Sequence, residues 1–401
     1  MVTPEINLVD SDSYERGGPP YEQFAWLRAH APVFWHAYGG VPDWPGFWAI
    51  TRLDDIEQVA RRPEIFSSAR LTSNFYELPD EVVQRRRLGI LNADPPQHTR
   101  LRGLVNRGFT PRMMSLLEER VSEICHGLLD DVARDREADF VTEIAAPLPV
   151  QVICELVGAP PGDRGMLYEL TNRMTGVDDP QVSSPAGFEA ARREMFGFAA
   201  ALAEQRRQQP RDDIVSRLLQ PDDDKDELTA AEFGTFFLTL IVGGNETTRN
   251  AASGGMLAFF QHPEQWHRLL ADPALIPAAA EEIVRWVSPI NQQRRTATCA
   301  TELGGQKISE GDKVVIFFTS ANRDEKVFAD PDEFDIGRDP NPHLAFGFGP
   351  HFCLGRHLAA LELRVLLGAI AERMPGITLD GPATRLRSNF INGIKHMPVR
   401  F

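Results

Sequence analysis

The chain has 401 residues, a formal net charge of −15 and 42% hydrophobic residues, so it can fold around a substantial core. The acidic total charge argues against nucleic acid as a general partner. Residues 1–12 lack the pattern of a signal peptide and no apolar stretch is long enough to cross a bilayer, so we expect a cytoplasmic protein without a membrane anchor. The widely spaced cysteines predict neither a disulfide framework nor a zinc site: Cys125, Cys154, Cys299 and Cys353.

The first hundred residues mix short strands with turns. Two aromatic-rich runs at 33–36 and 46–50 predict a pair of strands, and residues 54–60 predict a short helix. Residues 68–91 show no clean period, which favours an irregular loop. Beyond residue 94 the apolar spacing becomes helical, and the predicted helices cover 98–106, 111–134, 149–157, 164–175, 185–208 and 212–219.

The clearest helix begins after Thr229. Thr229 and Glu232 have the spacing of a capping box, and the apolar pattern continues to about residue 261, where His262-Pro263 ends it. Such a helix would be about 45 Å long, enough to cross the whole molecule. The remaining predictions are helices at 264–270, 277–286 and 354–373, strands at 294–297 and 313–318, a meander at 330–342 and a closing hairpin at 390–399.

These elements predict a mainly α-helical fold with a minor β region, in one domain over residues 1–401. The helical part comprises 94–290 and 354–373. The β-rich part combines residues near 30–70, 294–320 and 385–401, which are far apart in sequence.

A cysteine lies in a glycine-punctuated, aromatic loop, FGFGPHFCLG, at residues 346–355. Glycines allow the backbone to pass close to a flat ligand, and the following helix directs N–H groups toward the sulfur. The loop resembles the haem-binding loop of cytochromes P450. That resemblance implies haem b, with Cys353 as the iron ligand and Phe346, Gly347 and Gly355 against the cofactor. A buried structural cysteine is the alternative for this loop taken alone.

Four basic or imidazole side chains fit the same resemblance. His98 and Arg102 are four apart and share a helix face. By resemblance to the family they hold the haem propionates, together with Arg295 and His351. Each one alone has a simpler interpretation as a surface charge, but the four together follow one family pattern.

The middle of the long helix carries the poor helix formers GGNETT at 243–248. Such local conflicts tend to mark functional sites. The segment resembles the oxygen-activation motif of cytochromes P450, which implies that Glu246 and Thr247 relay protons to iron-bound dioxygen. A packing groove of small residues is the alternative for the segment alone.

Glu282 and Arg285 are three apart, so they share a helix face. An exposed helical ion pair would be the common interpretation. The P450 family joins such a pair to an arginine of the meander, here Arg338, and the resemblance implies a structural network that holds the cysteine loop in place.

The resemblance therefore implies a bacterial-type soluble P450 that uses O2 and electrons from a ferredoxin-type donor to hydroxylate a hydrophobic small molecule. The segments 244–250 and 392–395 resemble actinobacterial P450s that oxidise sterol side chains and branched lipids. A ligand- or gas-binding haem-thiolate protein without turnover, and a peroxide-driven peroxygenase, are the two alternatives. Five residues are candidate substrate contacts: Val242, Gly243, Asn291, Gln293 and Ile391.

Asn291 and Gln293 depart from the apolar residues usual in the family at this segment. A buried amide is costly unless it is hydrogen-bonded, so either one could hold a substrate oxygen, or else a haem propionate or the backbone. A basic patch on the cysteine side of the haem is the expected docking surface for the electron donor, from Arg100, Arg107, Arg112, Arg356 and Arg364.

Overall fold

The computed structural model describes residues 5–38, 45–73, 76–109, 111–134, 136–220 and 226–401, without the side chains of 111–116. The fold is mainly α-helical with a minor β region, as predicted. In chain order the α-helices are α1 Ser11–Gly17, α2 Tyr21–His30, α3 Leu53–Ala60, α4 Asp80–Arg86, α5 Gln97–Asn106, α6 Pro111–Val132, α7 Pro147–Val157, α8 Arg164–Thr175, α9 Pro185–Gln208, α10 Ile214–Leu218, α11 Ala230–Gln261, α12 Pro263–Ala271, α13 Ile276–Val287, α14 Phe318–Ala321 and α15 Arg356–Arg373.

The strands are short and come from distant parts of the chain. They are β1 Val33–Ala37, β2 Gly46–Ile50, β3 Phe66–Ser67, β4 Glu137–Asp139, β5 Gln292–Ala297, β6 Thr301–Leu303, β7 Gln306–Ile308, β8 Lys313–Phe317, β9 Thr378–Leu379, β10 Thr384–Arg385, β11 Ile394–His396 and β12 Pro398–Arg400. Within the described ranges the largest sheet has the order β1-β2-β8-β5-β3. Its β5 and β8 are antiparallel, with Arg295 opposite Val314.

Two predictions about irregular regions were wrong. The segment 68–91 contains the helix α4, whose seven residues are too few to show a period against the surrounding turns. The predicted hairpin at 390–399 does not form, because β11 pairs with β10 while β12 joins β4 and β9. The N-terminal helices α1 and α2 were not predicted, and the helix expected at 212–219 is limited to α10.

The long helix α11 has 32 residues and runs through the centre of the fold. Its capping box is present: the Thr229 hydroxyl accepts from the Glu232 N–H at 3.2 Å, and the Glu232 carboxylate accepts from the Thr229 N–H at 2.9 Å. α11 packs against α7, α8, α9, α13 and α15. A Cβ at Gly255 would lie 2.7 Å from Ile283, so this glycine allows α13 to approach closely.

One apolar helical stretch, Phe140–Val157, is long enough to cross a membrane by composition, within the residues that the structure describes. Of this stretch, 72% is buried inside the protein. Burial of this kind is typical of a core helix, and α7 packs directly against α11 and α6.

Candidate functional site

The cysteine loop is held by glycine conformations and a backbone hydrogen bond. Gly347 and Gly349 have φ values of 72° and 68°, in the left-handed region that favours glycine. A Cβ at Gly349 would also lie 2.7 Å from the Ala60 carbonyl oxygen. The Cys353 N–H donates to the Phe346 carbonyl at 2.8 Å, which closes the loop into a fixed shape.

The sulfur of Cys353 lies just before α15. Burial raises the pKa of the Cys353 thiol, while the backbone N–H groups of Gly355 and Arg356 and the charge of Arg102 lower it. The N–H groups and the arginine charge that favour a thiolate are thus already in place. Without a bound cation, however, they lower the pKa of Cys353 less than burial raises it. Within the described residues no group of three or more His, Cys, Asp or Glu could hold a metal ion.

A cluster of cationic and imidazole side chains lies beside this loop. The rings of His98 and His351 are 4.3 Å apart, and Arg102 donates to the Phe352 carbonyl at 2.8 Å. Arg295 is only 4% exposed. α5, β5 and the cysteine loop bring these four predicted residues together from three parts of the chain.

Among the described residues no carboxylate forms an ion pair with Arg102 or Arg295, and Asp94 acts on Arg295 only through its charge. Burial lowers the pKa of Arg295 to about 10, and burial with the charges of Arg295, His98 and Arg102 lowers that of His351 to about 2. The Nε2 atom of buried His98 has no hydrogen-bond partner within the described ranges. The acid nearby, Asp94, already accepts from the Ser68 N–H at 2.8 Å.

These residues fit a haem. Buried cations without a counter-ion need an anionic ligand, and Arg guanidinium groups bind carboxylates well. Arg102, Arg295, His98 and His351 would hold its two propionates, and Cys353 would ligate the iron.

The surface of α11 around Gly243, called here the open wall of α11, is not covered by other described residues. A Cβ at Gly243 would meet no atom within 4 Å, and Gly243 is exposed in mid-helix. The Thr247 hydroxyl donates to the Gly243 carbonyl at 2.6 Å, one turn back. Val242 and Thr247 are partly exposed beside it. α11 therefore offers a small-residue surface with one hydroxyl, against which a flat cofactor or a substrate can lie.

Glu246 is buried next to Thr247 but its carboxylate contacts another residue, Arg249. The Glu246 side chain is 2% exposed and that of Arg249 is 11% exposed. Burial raises the pKa of Glu246, and Arg249 opposes this rise. Sequence reasoning missed Arg249, although its i, i+3 spacing from Glu246 was a signal.

Glu282, Arg285 and Arg338 form the predicted network. The Arg285 guanidinium donates to both Glu282 oxygens at 2.7 and 2.8 Å, and both side chains are 0% exposed. Arg338 Nε lies 3.3 Å from Glu282. The other guanidinium N–H groups donate to meander carbonyls, including those of Pro331 and Glu333.

The candidate substrate contacts differ in their burial and in their hydrogen bonds. Asn291 is 0% exposed, its amide N–H donates to the Asn389 carbonyl at 3.3 Å, and its oxygen accepts from Thr319 at 2.9 Å. Asn291 therefore hydrogen-bonds to other groups of the protein, which was one of the two alternatives. The geometry does not support a hydrogen bond from Asn291 to the substrate. Gln293 is partly exposed and its oxygen lies 3.4 Å from Arg295. Ile391 is buried, 4% exposed, and is bridged to the segment just before β5.

A cysteine in a glycine-shaped loop beside an anion-binding cluster, in a fold crossed by a long helix with an exposed glycine, is what a haem-thiolate protein requires. Residues 185–374 match the cytochrome P450 family model. The chain belongs to the cytochrome P450 family, and it is a haem-dependent monooxygenase that hydroxylates a hydrophobic substrate. The relatives are named as a monooxygenase and a hydroxylase, which favours this activity over a ligand-binding protein without turnover and over a peroxygenase.

The chain is similar to several cytochromes P450 that have been named or solved. It is 43% identical to a steroid C26-monooxygenase of Rhodococcus jostii (strain RHA1), covering 99% of this chain and 84% of the relative. It is 41% identical to a methyl-branched lipid omega-hydroxylase of Mycobacterium tuberculosis (strain ATCC 25618 / H37Rv), covering 94% and 90%. A Mycobacterium marinum cytochrome P450 solved with pseudoionone has a TM-score of 0.92, 36% identity and coverage of 100% and 99%.

Proposed function

We propose that this monooxygenase hydroxylates a steroid or a methyl-branched lipid that carries a polar group. The observation that carries the proposal is the similarity, over at least 94% of the chain, to relatives whose names give those two substrate classes. The exposed Gly243 supports it, because a bulky alicyclic or branched chain needs a wall without side chains.

The site residues have separate roles in this proposal. Bound haem supplies O2 activation and oxidation of the C–H bond. Cys353 holds the iron, while Phe346, Gly347 and Gly355 shape the loop against the cofactor. Arg102, Arg295, His98 and His351 neutralise the propionates.

The long helix supplies the proton relay. The Thr247 hydroxyl, bonded to the Gly243 carbonyl, holds a proton at the open wall of α11. Glu246 replaces that proton when it leaves. Val242 and Gly243 border the substrate on the same wall, and Ile391 contributes an apolar surface.

Gln293 is the candidate residue for a hydrogen bond to the polar group of the substrate. It shares a face of β5 with Arg295, since the two residues are two apart on a strand. Its weak 3.4 Å contact with Arg295 leaves most of its amide hydrogen-bonding capacity for a hydroxyl or ketone.

The test is a titration of the low- to high-spin shift with paired ligands that differ only in one oxygen function. We expect the oxygenated ligand to bind about two- to tenfold more tightly, because one hydrogen bond is worth about 0.5–1.5 kcal/mol. Gln293→Leu should remove the difference, and the exposed Gln208→Leu should preserve it. Equal affinities in the wild-type protein would refute the polar handle, and tight binding of simple alkanes alone would refute the proposed substrate class.

We also propose a ferredoxin-type electron donor that binds on the Cys353 side. Arg364 is exposed on α15 and Arg107 is partly exposed. Arg356 is 41% exposed, with a single ion pair among the described residues, to Glu281 at 3.5 Å, longer than either pair of Arg100. Arg100 does not fit this role, because Asp226 at 2.8 Å and Glu232 at 2.7 Å neutralise it. The side chain of Arg112 lies outside the described residues.

Electron transfer from an acidic ferredoxin should therefore slow as salt is added. We expect the second-order reduction rate to fall by about tenfold between low and high ionic strength, because complementary charges mainly speed association. Stopped-flow reduction measures this rate. Arg364→Gln should flatten the salt dependence, whereas Arg193→Gln on α9 should not. A rate independent of ionic strength would contradict this docking surface.

We infer that the protein is soluble, and we propose that it works in the cytoplasm, where reduced ferredoxin is available. The acidic net charge of −15 supports solubility.

A further inference from the structure

The face of the largest sheet that points away from Arg295 carries a second basic cluster. Side chains alternate along a strand, so Gln292, Arg294 and Thr296 of β5 lie on this opposite face. Lys313 of β8 pairs with Thr296 across the antiparallel strands and lies on the same face. The cluster is therefore separated from Arg295 by the sheet itself.

Arg294 is buried, and only part of its guanidinium has a partner. Its side chain is 1% exposed, and its Nη1 lies 3.3 Å from the Glu77 carboxylate. Glu77 also contacts Lys313, so one carboxylate is shared between two cations. Burial lowers the pKa of Arg294 and lowers that of Lys313 to about 8, although Glu77 opposes both shifts. The shared acid therefore offsets only part of the cost of burying these charges.

The Nε and Nη2 atoms of Arg294, called here the Arg294 fork, have no hydrogen-bond partner among the described residues. These two N–H groups are parallel and form an edge with which arginine binds a carboxylate bidentately. The same edge holds carboxylates elsewhere in this protein. Arg285 uses it to bind Glu282, at 2.7 and 2.8 Å. Arg28 uses it to bind Glu325, at 3.0 and 2.6 Å.

The two neighbours of Arg294 on this face also have unsatisfied polar atoms. Oε1 of Gln292 and Oγ1 of Thr296 have no partner within the described ranges, and the two residues are 1% and 0% exposed. Buried polar groups are almost always satisfied, so each exception needs an explanation such as an ordered water or an ion. Unsatisfied atoms at three successive positions of one strand face indicate a polar binding site.

The cluster reaches the surface at Glu77. The Glu77 side chain is 37% exposed, whereas those of Arg294 and Lys313 are 1% and 9% exposed. The backbone just before it is fixed to β5, because the Arg294 N–H donates to the Ser73 carbonyl at 3.1 Å. Ser73 in turn donates to Asn92 from its N–H at 2.9 Å and from its hydroxyl at 3.1 Å. Rotation of the Glu77 side chain would thus admit a small group while the segment stays in place.

We propose that the Arg294 fork binds one oxyanion group, a carboxylate, phosphate or sulfate, that enters from the surface beside Glu77. The fork would form two charge-assisted hydrogen bonds to it, and its charge would balance that of the buried guanidinium. The Thr296 hydroxyl is a further donor on this face. A free inorganic anion and the acidic end of a lipid share this chemistry. The site does not depend on the substrate class proposed above, and only the lipid experiment below rests on it.

Inorganic phosphate tests the site itself. Titration calorimetry of the haem-loaded enzyme measures its affinity, with chloride added to keep the ionic strength constant. We expect Arg294→Gln to weaken phosphate binding by about tenfold or more, because two hydrogen bonds to a charged group are lost. Thr296→Val, which removes only the hydroxyl, should weaken it by about two- to tenfold. Arg16→Gln is the control, since this arginine of α1 is 70% exposed, and it should bind phosphate as wild type does.

Glu77→Gln separates an anion site from an ordinary ion pair. Glu77 repels an incoming anion and competes for the same guanidinium, so neutralising it should tighten phosphate binding by about three- to tenfold. If Arg294 only anchored the Glu77 segment, this variant would loosen the segment without improving phosphate binding. Glu310→Gln is the matched control, because Glu310 is 61% exposed and pairs with Arg70 at 2.9 Å. It should leave the affinity unchanged.

Palmitate and methyl palmitate distinguish the acidic end of a lipid from a free anion. If a lipid carboxylate occupies the fork, Arg294→Gln should weaken the palmitate-induced spin shift by about tenfold and leave that of methyl palmitate unchanged. If phosphate binding depends on Arg294 while palmitate binding does not, the site takes free anions. When neither lipid shifts the spin state, the lipid substrate class is in error, and phosphate still decides on the site.

The inference is overturned if phosphate does not bind the wild-type enzyme, or binds Arg294→Gln equally well, because the fork is then satisfied by water alone. Should Arg294→Gln fail to fold, Thr296→Val and Glu77→Gln decide the matter, since their expected effects on phosphate affinity have opposite signs.

Discussion

Replacing Cys353 with histidine should abolish nearly all monooxygenase activity while the protein still binds some haem. Changes to groups that only support a metal ligand cost about 10–100-fold in metal affinity or activity, so loss of the ligand itself should cost more. The thiolate's electron donation is what favours O–O cleavage, and a neutral imidazole does not supply it. The cation cluster around Arg295 is untouched by this change, so propionate binding should persist.

The measurement is the ferrous CO spectrum. Wild-type protein should show the strongly red-shifted Soret band of thiolate ligation, and Cys353→His should lack it. Cys299 is also free but exposed, so Cys299→Ser is the matched control and should keep the wild-type spectrum. A wild-type protein without the red-shifted band would contradict the assignment of Cys353.

The parts of the site that could be predicted from the sequence are those whose geometry is local. The cysteine loop is ten consecutive residues, and its Gly347 and Gly349 adopt the φ values that explain their presence. Glu282 and Arg285 lie three apart on one helix, so their pairing follows from helical geometry. The long helix of 32 residues could be predicted because its capping box marks the first residue and the helical spacing of apolar residues continues to its end.

The parts that could not be predicted depend on partners far away in the chain. Asn291 is satisfied by Asn389 and Thr319, 98 and 28 residues away, and no strand pattern reveals such partners. The pairing of β11 with β10 instead of β12 depends on which sheet edge is free. Glu246 was assigned to the motif by resemblance, but its carboxylate contacts Arg249, and the sequence does not reveal which rotamer the side chain adopts.

The largest effect on stability is expected for Glu282→Gln. The wild-type carboxylate accepts from Arg285 at 2.7 and 2.8 Å, from the Asp335 N–H at 3.0 Å and from Asn341 at 3.1 Å. Glutamine removes the charge and leaves Arg285 and Arg338 as buried cations without a counter-ion. Breaking a buried pair in this way costs about 3–5 kcal/mol. That is a large part of the roughly 5–15 kcal/mol that keeps a domain folded.

Glu123→Gln provides the matched control for this change. Glu123 forms an i, i+3 pair with Arg120 at 2.6 Å, with side chains 57% and 46% exposed. An exposed pair of the same spacing is worth about 0–1 kcal/mol, so its loss should barely move the unfolding transition. Thermal unfolding and the haem-to-protein ratio of purified samples measure both variants. Equal, small losses for the two variants would mean that Glu282 does not hold the meander.

Arg285→Lys separates charge from geometry in the same network. Lysine keeps the positive charge beside Glu282, but its compact ammonium cannot replace a planar guanidinium that also donates to the Asn322, Pro331 and Glu333 carbonyls. We therefore expect Arg285→Lys to lose haem almost as fully as Glu282→Gln. If lysine restored wild-type haem content, charge alone would suffice, and the hydrogen bonds to the meander would not be what holds the Cys353 loop ready for its metal.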